Sequence, residues 1–183
     1  MKSYVVVDVF REIVEKVSAE MLTELQVLDA KITGVHYEHG HPLEIIETLA
    51  QKDTTGAHRF SKYPLIALFQ DFPETITDKT GLQSEVNLHI IIAKATLPTY
   101  KANERYENNL KPYLYPIYAS LFKQINSHKA TLTKAPGLIA HTKTDRIFWG
   151  RQGLYKNEKN IFNDWLDCIE IKDLKLKINL KNC

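Results

Sequence analysis

The sequence contains little cysteine and no long apolar segment. Its two cysteines among 183 residues are Cys168 and the last residue, Cys183, too few and too clustered for the disulfide framework of a small secreted domain. The longest purely apolar stretches, such as residues 90–93, are far shorter than the roughly 20 residues that span a bilayer. The apolar run near the start is interrupted at Asp8 and no small-residue cleavage site follows. We therefore expect synthesis inside the cell, with neither a signal peptide nor a membrane helix.

An excess of charge of one sign is also missing. Lys and Arg total 24 against 22 Asp and Glu, a formal net charge of +2, so the chain is not built to hold a long polyanion. With 44% hydrophobic and 25% charged residues, the composition is that of an ordinary globular domain, which excludes a disordered or collagen-like chain. At about 100–200 residues per domain, the length predicts one domain over residues 1–183.

Apolar residues at helical spacing predict two main helices. The first covers residues 5–28, where apolar residues recur in steps of three and four. The second covers residues 110–125, with the same spacing but two prolines, Pro112 and Pro116. Proline lacks the N–H that an uninterrupted helix needs, so the regular part is predicted to begin near Pro112 or to restart near Pro116. A shorter helix is predicted to follow Pro42.

Five segments have the composition of strands: residues 31–38, 63–72, 86–95, 146–149 and 167–180. The second and third are mostly apolar, which is typical of strands buried on both faces, and we expect these two to pair antiparallel. In the long C-terminal segment apolar residues alternate with lysines, giving one apolar and one basic face, a pattern that also protects an edge strand from unwanted pairing. Together the elements predict an α+β fold, a mixed or antiparallel sheet packed against two main helices in a single domain.

The segment between the two apolar strands, residues 74–85, has the composition of a loop. It is longer than a tight turn, and long loops in compact domains are often functional or disordered. We predict that it projects from the sheet and contacts another protein subunit through Thr77, Asp78 and Lys79.

Three histidines, His36, His39 and His41, lie within six residues of one another. Neutral imidazole is the commonest ligand of transition metals, so a metal site is one interpretation. The other is an ordinary strand end and turn, which we favour because this spacing matches no known metal cage. On an extended chain His36 points away from the face that His39 and His41 share. We expect no metal and no cofactor.

Acidic residues near the ends of the two apolar strands, Asp71, Glu74 and Glu85, together with Lys94, invite comparison with metal-dependent nucleases. Those enzymes carry an acidic residue two positions before the lysine, where this chain has Ile92. The sequence contains no serine elbow, no phosphate-binding glycine motif and no catalytic cysteine signature. A nuclease or hydrolase is therefore the less favoured interpretation, and we expect no catalytic residues.

Aromatic and basic residues concentrate in residues 146–156, which include Trp149, Arg151 and Tyr155. Such a segment can stack nucleic-acid bases, but Trp, Tyr and Arg are also the residue types that anchor protein contacts. Because the chain lacks excess positive charge, we assign these residues to a protein interface and expect no specific nucleic-acid binding. Tyr115 lies off the apolar stripe of the second helix, so we assign it to an interface as well.

Three segments resemble small proteins of phages and prophages from Bacteroidetes-type hosts: YPLIALFQDFPE, HIIIAKATLPTYKANERYENNLKPYLYPIYASLFKQI and DRIFWGRQGLYKNEKNIFNDWLDCIEIKDLKLKI. The resemblance covers about residues 60 to 180. The order of elements is similar to that of the tail terminator and tail-completion proteins of long-tailed bacteriophages. The chain departs from the simplest terminator pattern in the added segment 129–140 and in the long terminal strand.

The resemblance implies a structural virion protein, made in the host cytoplasm and located in the neck or tail. Such proteins form a ring, commonly of six subunits, that caps the tail tube and joins it to the head connector or another neck protein. The loop 74–85 would then contact a neighbouring subunit or the tail tube. A non-viral protein-binding or scaffold domain is the alternative.

Overall fold

A computed structural model describes residues 5–54, 62–76, 83–131, 139–149 and 164–179. Within these ranges the helices are α1 (Val6–Leu28), α2 (Pro42–Thr54), α3 (Ala102–Arg105), a π-helix (Tyr106–Leu114) and α4 (Tyr115–Ser127). The strands are β1 (His36–Gly40), β2 (Leu65–Phe69), β3 (Glu74–Ile76), β4 (Gln83–Ala95), β5 (Thr142–Trp149) and β6 (Leu166–Asn179). None of the helices in the described ranges is long and apolar enough to cross a membrane.

The six strands form one mixed sheet in the order β1-β2-β4-β6-β5, with β3 added beside the first part of β4. Only β1 and β2 pair in parallel, and helix α2 connects them. The two apolar strands β2 and β4 pair antiparallel, with Leu65 opposite Ala93 and Phe69 opposite His89. The α+β fold with a mixed sheet and the antiparallel pairing of these two strands are thus confirmed.

The larger core lies between the sheet and the two main helices, on what we call the α1 face. There α1 packs on β1 and β2, the π-helix packs on β4 and β6, and α4 packs mainly on α1. Ile117, Leu121 and Ile125 of α4 are fully buried in the same cluster as Ile66 and Ile90 of the strands. The predicted stripe of the first helix is buried as far as Leu25, whereas Leu28 is 48% exposed.

The opposite face of the sheet, the α2 face, carries a smaller core. Ile45, Ile46 and Leu49 of α2 pack there against alternate residues of the strands, including Leu65 and Cys168. Strands β2, β4 and β6 therefore bury apolar side chains on both faces, which explains their nearly continuous apolar sequence.

The first strand is displaced from its predicted position. The sequence favoured a strand over residues 31–38, but β1 covers His36–Gly40 and residues 32–35 are irregular. These residues pass close to α1, where the Val35 N–H donates to Ser18 Oγ at 2.9 Å. A Cβ atom at Gly34 would lie 2.4 Å from Ser18 Oγ, and Gly34 has a φ of +147°, so this approach requires glycine. Tertiary contact therefore overrides the local strand propensity.

The second long helix begins earlier than predicted and changes its hydrogen-bond register. Residues 102–127 are helical throughout, with α3 and the π-helix preceding α4. Pro112 lies inside the π-helix and Pro116 in the first turn of α4. The Tyr115 N–H donates to the carbonyl of Leu110, five residues back. A wider turn accommodates a proline ring that would clash with the carbonyl four residues back in an α-helix, so only the restart near Pro116 agrees with the structure.

Part of the predicted loop 74–85 is strand. Residues 74–76 form β3, which pairs with the first residues of β4, Thr75 standing opposite Glu85. Residues 77–82, including Thr77, Asp78 and Lys79, lie outside the described residues. The predicted C-terminal strand 167–180 agrees with β6, but β6 is an inner strand over residues 166–172, where β4 and β5 flank it. The alternating lysines, Lys175 and Lys177, lie beyond that part, where β6 pairs with β4.

Candidate interface around an edge strand

Both predicted interface residues that the structure describes lie at β5. Trp149 is its last residue, and Tyr115 donates a hydrogen bond from its hydroxyl to Asp145 at 2.8 Å. Trp149 packs against the core of the α2 face, whereas Tyr115 packs against the core of the α1 face. The two side chains therefore flank β5 from opposite sides. The other candidates, Thr77, Asp78, Lys79, Arg151 and Tyr155, fall outside the described residues.

Strand β5 is one of the two ends of the sheet, and β1 is the other. In the described part of the chain β5 pairs with β6 alone, and its register shifts between Ile147 and Trp149, which marks a bulge. A sheet edge presents backbone N–H and C=O groups that can pair with another chain, and a bulge limits such pairing. Within the described ranges the outer edge of β5 is therefore unpaired, and the bulge falls near its Trp149 end.

On the α1 face, polar groups fix the aromatic residue next to β5. Lys143 Nζ lies 2.5 Å from Asp145 and 4.7 Å from the centre of the Tyr115 ring. Burial and the hydrogen bond to Asp145 raise the pKa of Tyr115 to about 12, so its hydroxyl stays protonated and remains a donor at neutral pH. The side chain is therefore held in one orientation.

More aromatic rings continue this surface along the helix. The Tyr118 hydroxyl lies 2.6 Å from His141 Nε2, and the Phe122 ring stacks on His141 with centroids 4.3 Å apart. Tyr106 is 43% exposed and Ile147 of β5 is 55% exposed. We call Tyr106, Tyr115, Tyr118, Phe122 and Ile147 the aromatic patch. Its exposed apolar atoms are suited to contact with another protein.

On the α2 face, basic side chains surround one carboxylate beside β5. Glu170 of β6 accepts from Arg146 Nε, and its Oε1 lies 3.2 Å from Lys172 Nζ and 3.0 Å from His89 Nε2. Burial would raise the pKa of Glu170, but the bonds from Arg146 and Lys172 outweigh it and the net shift is downward. Burial lowers the pKa of His89. We call Arg146, Lys172, His89 and Glu170 the cation cluster.

Aromatic contacts connect the cation cluster to the core. The Phe69 ring meets His89 edge to face with centroids 4.5 Å apart, and it stacks on Trp149 at 6.1 Å. Cys168 lies in the same core, and burial raises the pKa of its thiol, so it stays protonated and has little nucleophilic character. The arrangement places charge and apolar area beside β5, whose outer edge is unpaired in the part of the chain that the structure describes.

The three histidines of the sequence motif have separate partners. His39 Nδ1 lies 3.2 Å from Gln70 Oε1, His36 Nε2 lies 3.4 Å from Thr33 Oγ1, and His41 Nδ1 accepts from a backbone N–H. Among the residues that the structure describes, no group of three or more His, Cys, Asp and Glu side chains is placed to hold a metal ion. The motif is a strand end and a helix start.

The residues compared with nucleases do not come together. Glu85 lies near the start of β4 beside β3, and Lys94 lies nine positions further along the same strand. At about 3.3 Å per residue, the two are separated by about 30 Å. Glu74 is in β3, at the Glu85 end. Lys94 therefore lies far from Glu74 and Glu85, two of the acidic residues with which it was compared.

Sequence reasoning missed a buried polar cluster where the π-helix meets β6. Arg105 and Asp167 are 3% and 0% exposed, and Arg105 NH1 lies 2.6 Å from Asp167 Oδ1. Asn109 donates to the other carboxylate oxygen at 2.8 Å. Arg105 and Asp167 are 62 positions apart, so no local spacing connects them. An acidic residue at the start of a mostly apolar strand is the single sequence signal.

No protein-family model matches the chain, and no curated protein is significantly similar to it.

Proposed function

We propose that the chain is a structural virion protein of the neck or tail of a long-tailed phage. It forms a closed ring of copies of itself, six in the simplest case, which terminates the tail tube and joins it to the head connector or another neck protein. It is made in the host cytoplasm and ends in the virion. The proposal starts from the resemblance in three segments, and the arrangement around β5 supports it.

The observation that carries the proposal is that, among the described residues, β5 pairs on one side only and has the aromatic patch and the cation cluster on its two faces. A ring requires one surface of a subunit to meet a different surface of its neighbour. The sheet ends in β5 on one side and in β1 on the other, and the two edges differ in length and sequence. The aromatic patch and the cation cluster add apolar area and charge to the β5 end. Such a subunit has the asymmetry that head-to-tail contact needs.

The size and molar mass of the assembly test the ring. We expect the purified chain to sediment as a closed oligomer that negative-stain images show as a ring. In Ile147→Asp, a charge replaces the 55% exposed apolar residue of β5, and we expect this variant to be a folded monomer. The matched control is Val27→Asp, since Val27 is 83% exposed near the end of α1. That variant should still form the ring.

A joining assay separates the virion role from a general scaffold. Tail tubes assembled without this protein should remain unjoined to heads until the wild-type chain is added, and Ile147→Asp should fail to restore joining. A stable monomer at assembly concentrations would contradict the ring. An oligomer that forms but never binds tail tubes would favour the non-viral scaffold domain instead.

A further inference from the structure

A cavity of about 330 Å³ opens where the end of β4 meets the π-helix. Its wall includes Lys94 and Thr96 from the end of β4 and the following turn, Leu97 and Tyr100 from that turn, and Asn109 and Tyr113 from the π-helix. The volume is at the lower end of the range for small-molecule sites. π-helical turns are rare and frequently occur at functional sites.

Lys94 is the cation of this cavity, and the carboxylate nearest to it in the strand pairing, that of Asp167, already binds other side chains. It stands opposite Asp167 in the antiparallel pairing of β4 and β6. The Asp167 carboxylate binds Arg105 through one oxygen and Asn109 through the other. In the described part of the chain Lys94 has no carboxylate within ion-pair distance, and its Nζ lies 4.8 Å from the centre of the Tyr113 ring.

The wall also carries two hydroxyls that can donate, those of Thr96 and Tyr113, and two asparagines, Asn108 and Asn109, which have both donors and acceptors. The Thr96 hydroxyl oxygen accepts from Arg105 at 3.3 Å, which leaves its proton for another acceptor. Among the described residues the Tyr113 hydroxyl has no hydrogen-bond partner, and burial raises its pKa, so it also remains a donor. The cavity wall contains no Asp or Glu. The wall thus combines one cation and several donors with no acidic group.

Burial also weakens the solvation of Lys94. It lowers the pKa of the ammonium group, and the carboxylate of Asp29 offsets only part of this effect. Asp29 does not line the cavity. An anion held in the cavity would supply the missing partner.

We propose that this cavity binds a small organic anion, a carboxylate or phosphate joined to an apolar or aromatic group. The anion pairs with Lys94 and accepts hydrogen bonds from the Tyr113 and Thr96 hydroxyls. The apolar part of the ligand lies against Leu97 and Tyr100, which supply the apolar side of the wall. A small volume and one cation favour a single-headed ligand over a nucleotide.

The test is a binding titration followed by NMR of the Lys94 side chain. The probes are benzoate, phenyl phosphate and inorganic phosphate, with benzamide as the neutral analogue. We expect benzoate or phenyl phosphate to bind, to shift the Lys94 signals and to raise the pKa of Lys94. The stronger of the two identifies the acid group, and weaker binding of inorganic phosphate assigns a role to the apolar wall.

Variants connect binding to the named residues. Lys94→Met should weaken binding at least about tenfold, since a hydrogen bond to a charged group contributes roughly that much. Tyr113→Phe should weaken binding several-fold, because it removes the hydroxyl donor but preserves the contacts of the aromatic ring. Lys175→Met is the control, because Lys175 is exposed on β6 opposite Asn87, far along the sheet from Lys94. Circular dichroism checks that each variant is folded. If Lys94→Met does not fold, Lys94→Gln replaces it in the binding measurement.

Several results would overturn the proposal. The first is that no anion shifts the NMR signals of Lys94. The second is that benzamide binds as tightly as benzoate. The third is that a folded Lys94 variant binds the anion with unchanged affinity. Ring formation does not enter this experiment, so its outcome is separate from that of the proposed virion role.

Discussion

Arg105 and Asp167 form an ion pair in the interior, with 2.6 Å between NH1 and Oδ1. Arg105 ends α3 and Asp167 is the second residue of β6, so the pair joins the start of the long helix to the longest strand. Asn109 also donates to Asp167, and Arg105 also donates to Thr96 and to the carbonyl of Leu97. The pair therefore fixes where the π-helix lies on the sheet.

Breaking this pair should destabilise the fold strongly. In Asp167→Asn the Arg105 guanidinium stays buried without its anion, and the loss of one partner of a buried pair costs about 3–5 kcal/mol. Urea unfolding at neutral pH measures this change. Asp8→Asn is the matched control, because Asp8 pairs with Arg11 at 2.7 Å but both side chains are about half exposed. An exposed pair contributes at most about 1 kcal/mol, so equal losses in the two variants would contradict the structural role.

Glu20 should make stability depend on pH in the acidic range. Hydrogen bonds from Lys123, Gln124 and Ser120 of α4 lower the pKa of Glu20 from 4.5 to about 2. A carboxylate with a lowered pKa in the folded state stabilises the fold fully above its unfolded pKa. That contribution falls as the pH drops from about 4.5 towards about 2.

The measurement compares urea midpoints of wild type and Glu20→Gln between pH 7 and pH 2. The wild type should be more stable at pH 7, and the difference should shrink across that acidic window. Glu24→Gln makes the same change one turn later on α1, where the described residues offer no hydrogen bond or ion pair, and should leave the profile unchanged. A constant difference between wild type and Glu20→Gln at every pH would exclude this role.

Periodicity in the sequence was sufficient to predict the elements that follow one regular apolar pattern. The first helix was predicted over residues 5–28 and α1 covers Val6–Leu28. The two apolar strands were predicted to pair, and they do. In these elements one repeating pattern and one buried face agree, so local sequence and tertiary packing give the same answer.

Periodicity failed where a distant contact decides the backbone. β1 begins five residues later than predicted because Gly34 and Val35 lie against Ser18 of α1. The π-helix has no separate sequence signature: Pro112 indicated an interruption but could not reveal a change of register. The order of β6 between β4 and β5 is likewise a property of the whole sheet.

The sequence singled out two of the residues that the structure places around β5. Residue type singled out Tyr115 and Trp149, and both lie at β5. The cation cluster could not be predicted from the sequence, because Glu170, His89 and Arg146 come from three strands. Only the pairing of those strands brings them together, and the sequence does not encode that pairing locally.

Truncation of Leu121 should show how closely α4 is packed. Leu121 is 0% exposed in the core of the α1 face, so Leu121→Ala should cost about 2–5 kcal/mol in free energy of unfolding. Leu28→Ala is the comparison, because Leu28 is 48% exposed at the end of α1 and its truncation should cost well under about 1 kcal/mol. A loss below about 1 kcal/mol for Leu121→Ala would place α4 outside the core.

The basic and aromatic segment 146–156 should bind protein rather than DNA. Arg146 already donates to Glu170, a carboxylate that it shares with Lys172, so the one arginine of the segment that the structure describes is engaged within its own chain. The chain as a whole has a net charge of only +2, and tight DNA binding needs several free cations that displace counterions. We therefore expect weak, salt-sensitive and non-specific DNA binding in fluorescence anisotropy.

Arg151→Ala tests the same segment through assembly. Sedimentation over a dilution series should show self-association weakened by at least about 1 kcal/mol, as for a contributing interface arginine, while circular dichroism stays unchanged. Lys16→Ala is the control, since Lys16 is an exposed cation of α1, and it should assemble like the wild type. Tight DNA binding at physiological salt that Arg151→Ala abolishes would assign the segment to nucleic acid. The assignment of residues 146–156 to a protein interface would then be wrong.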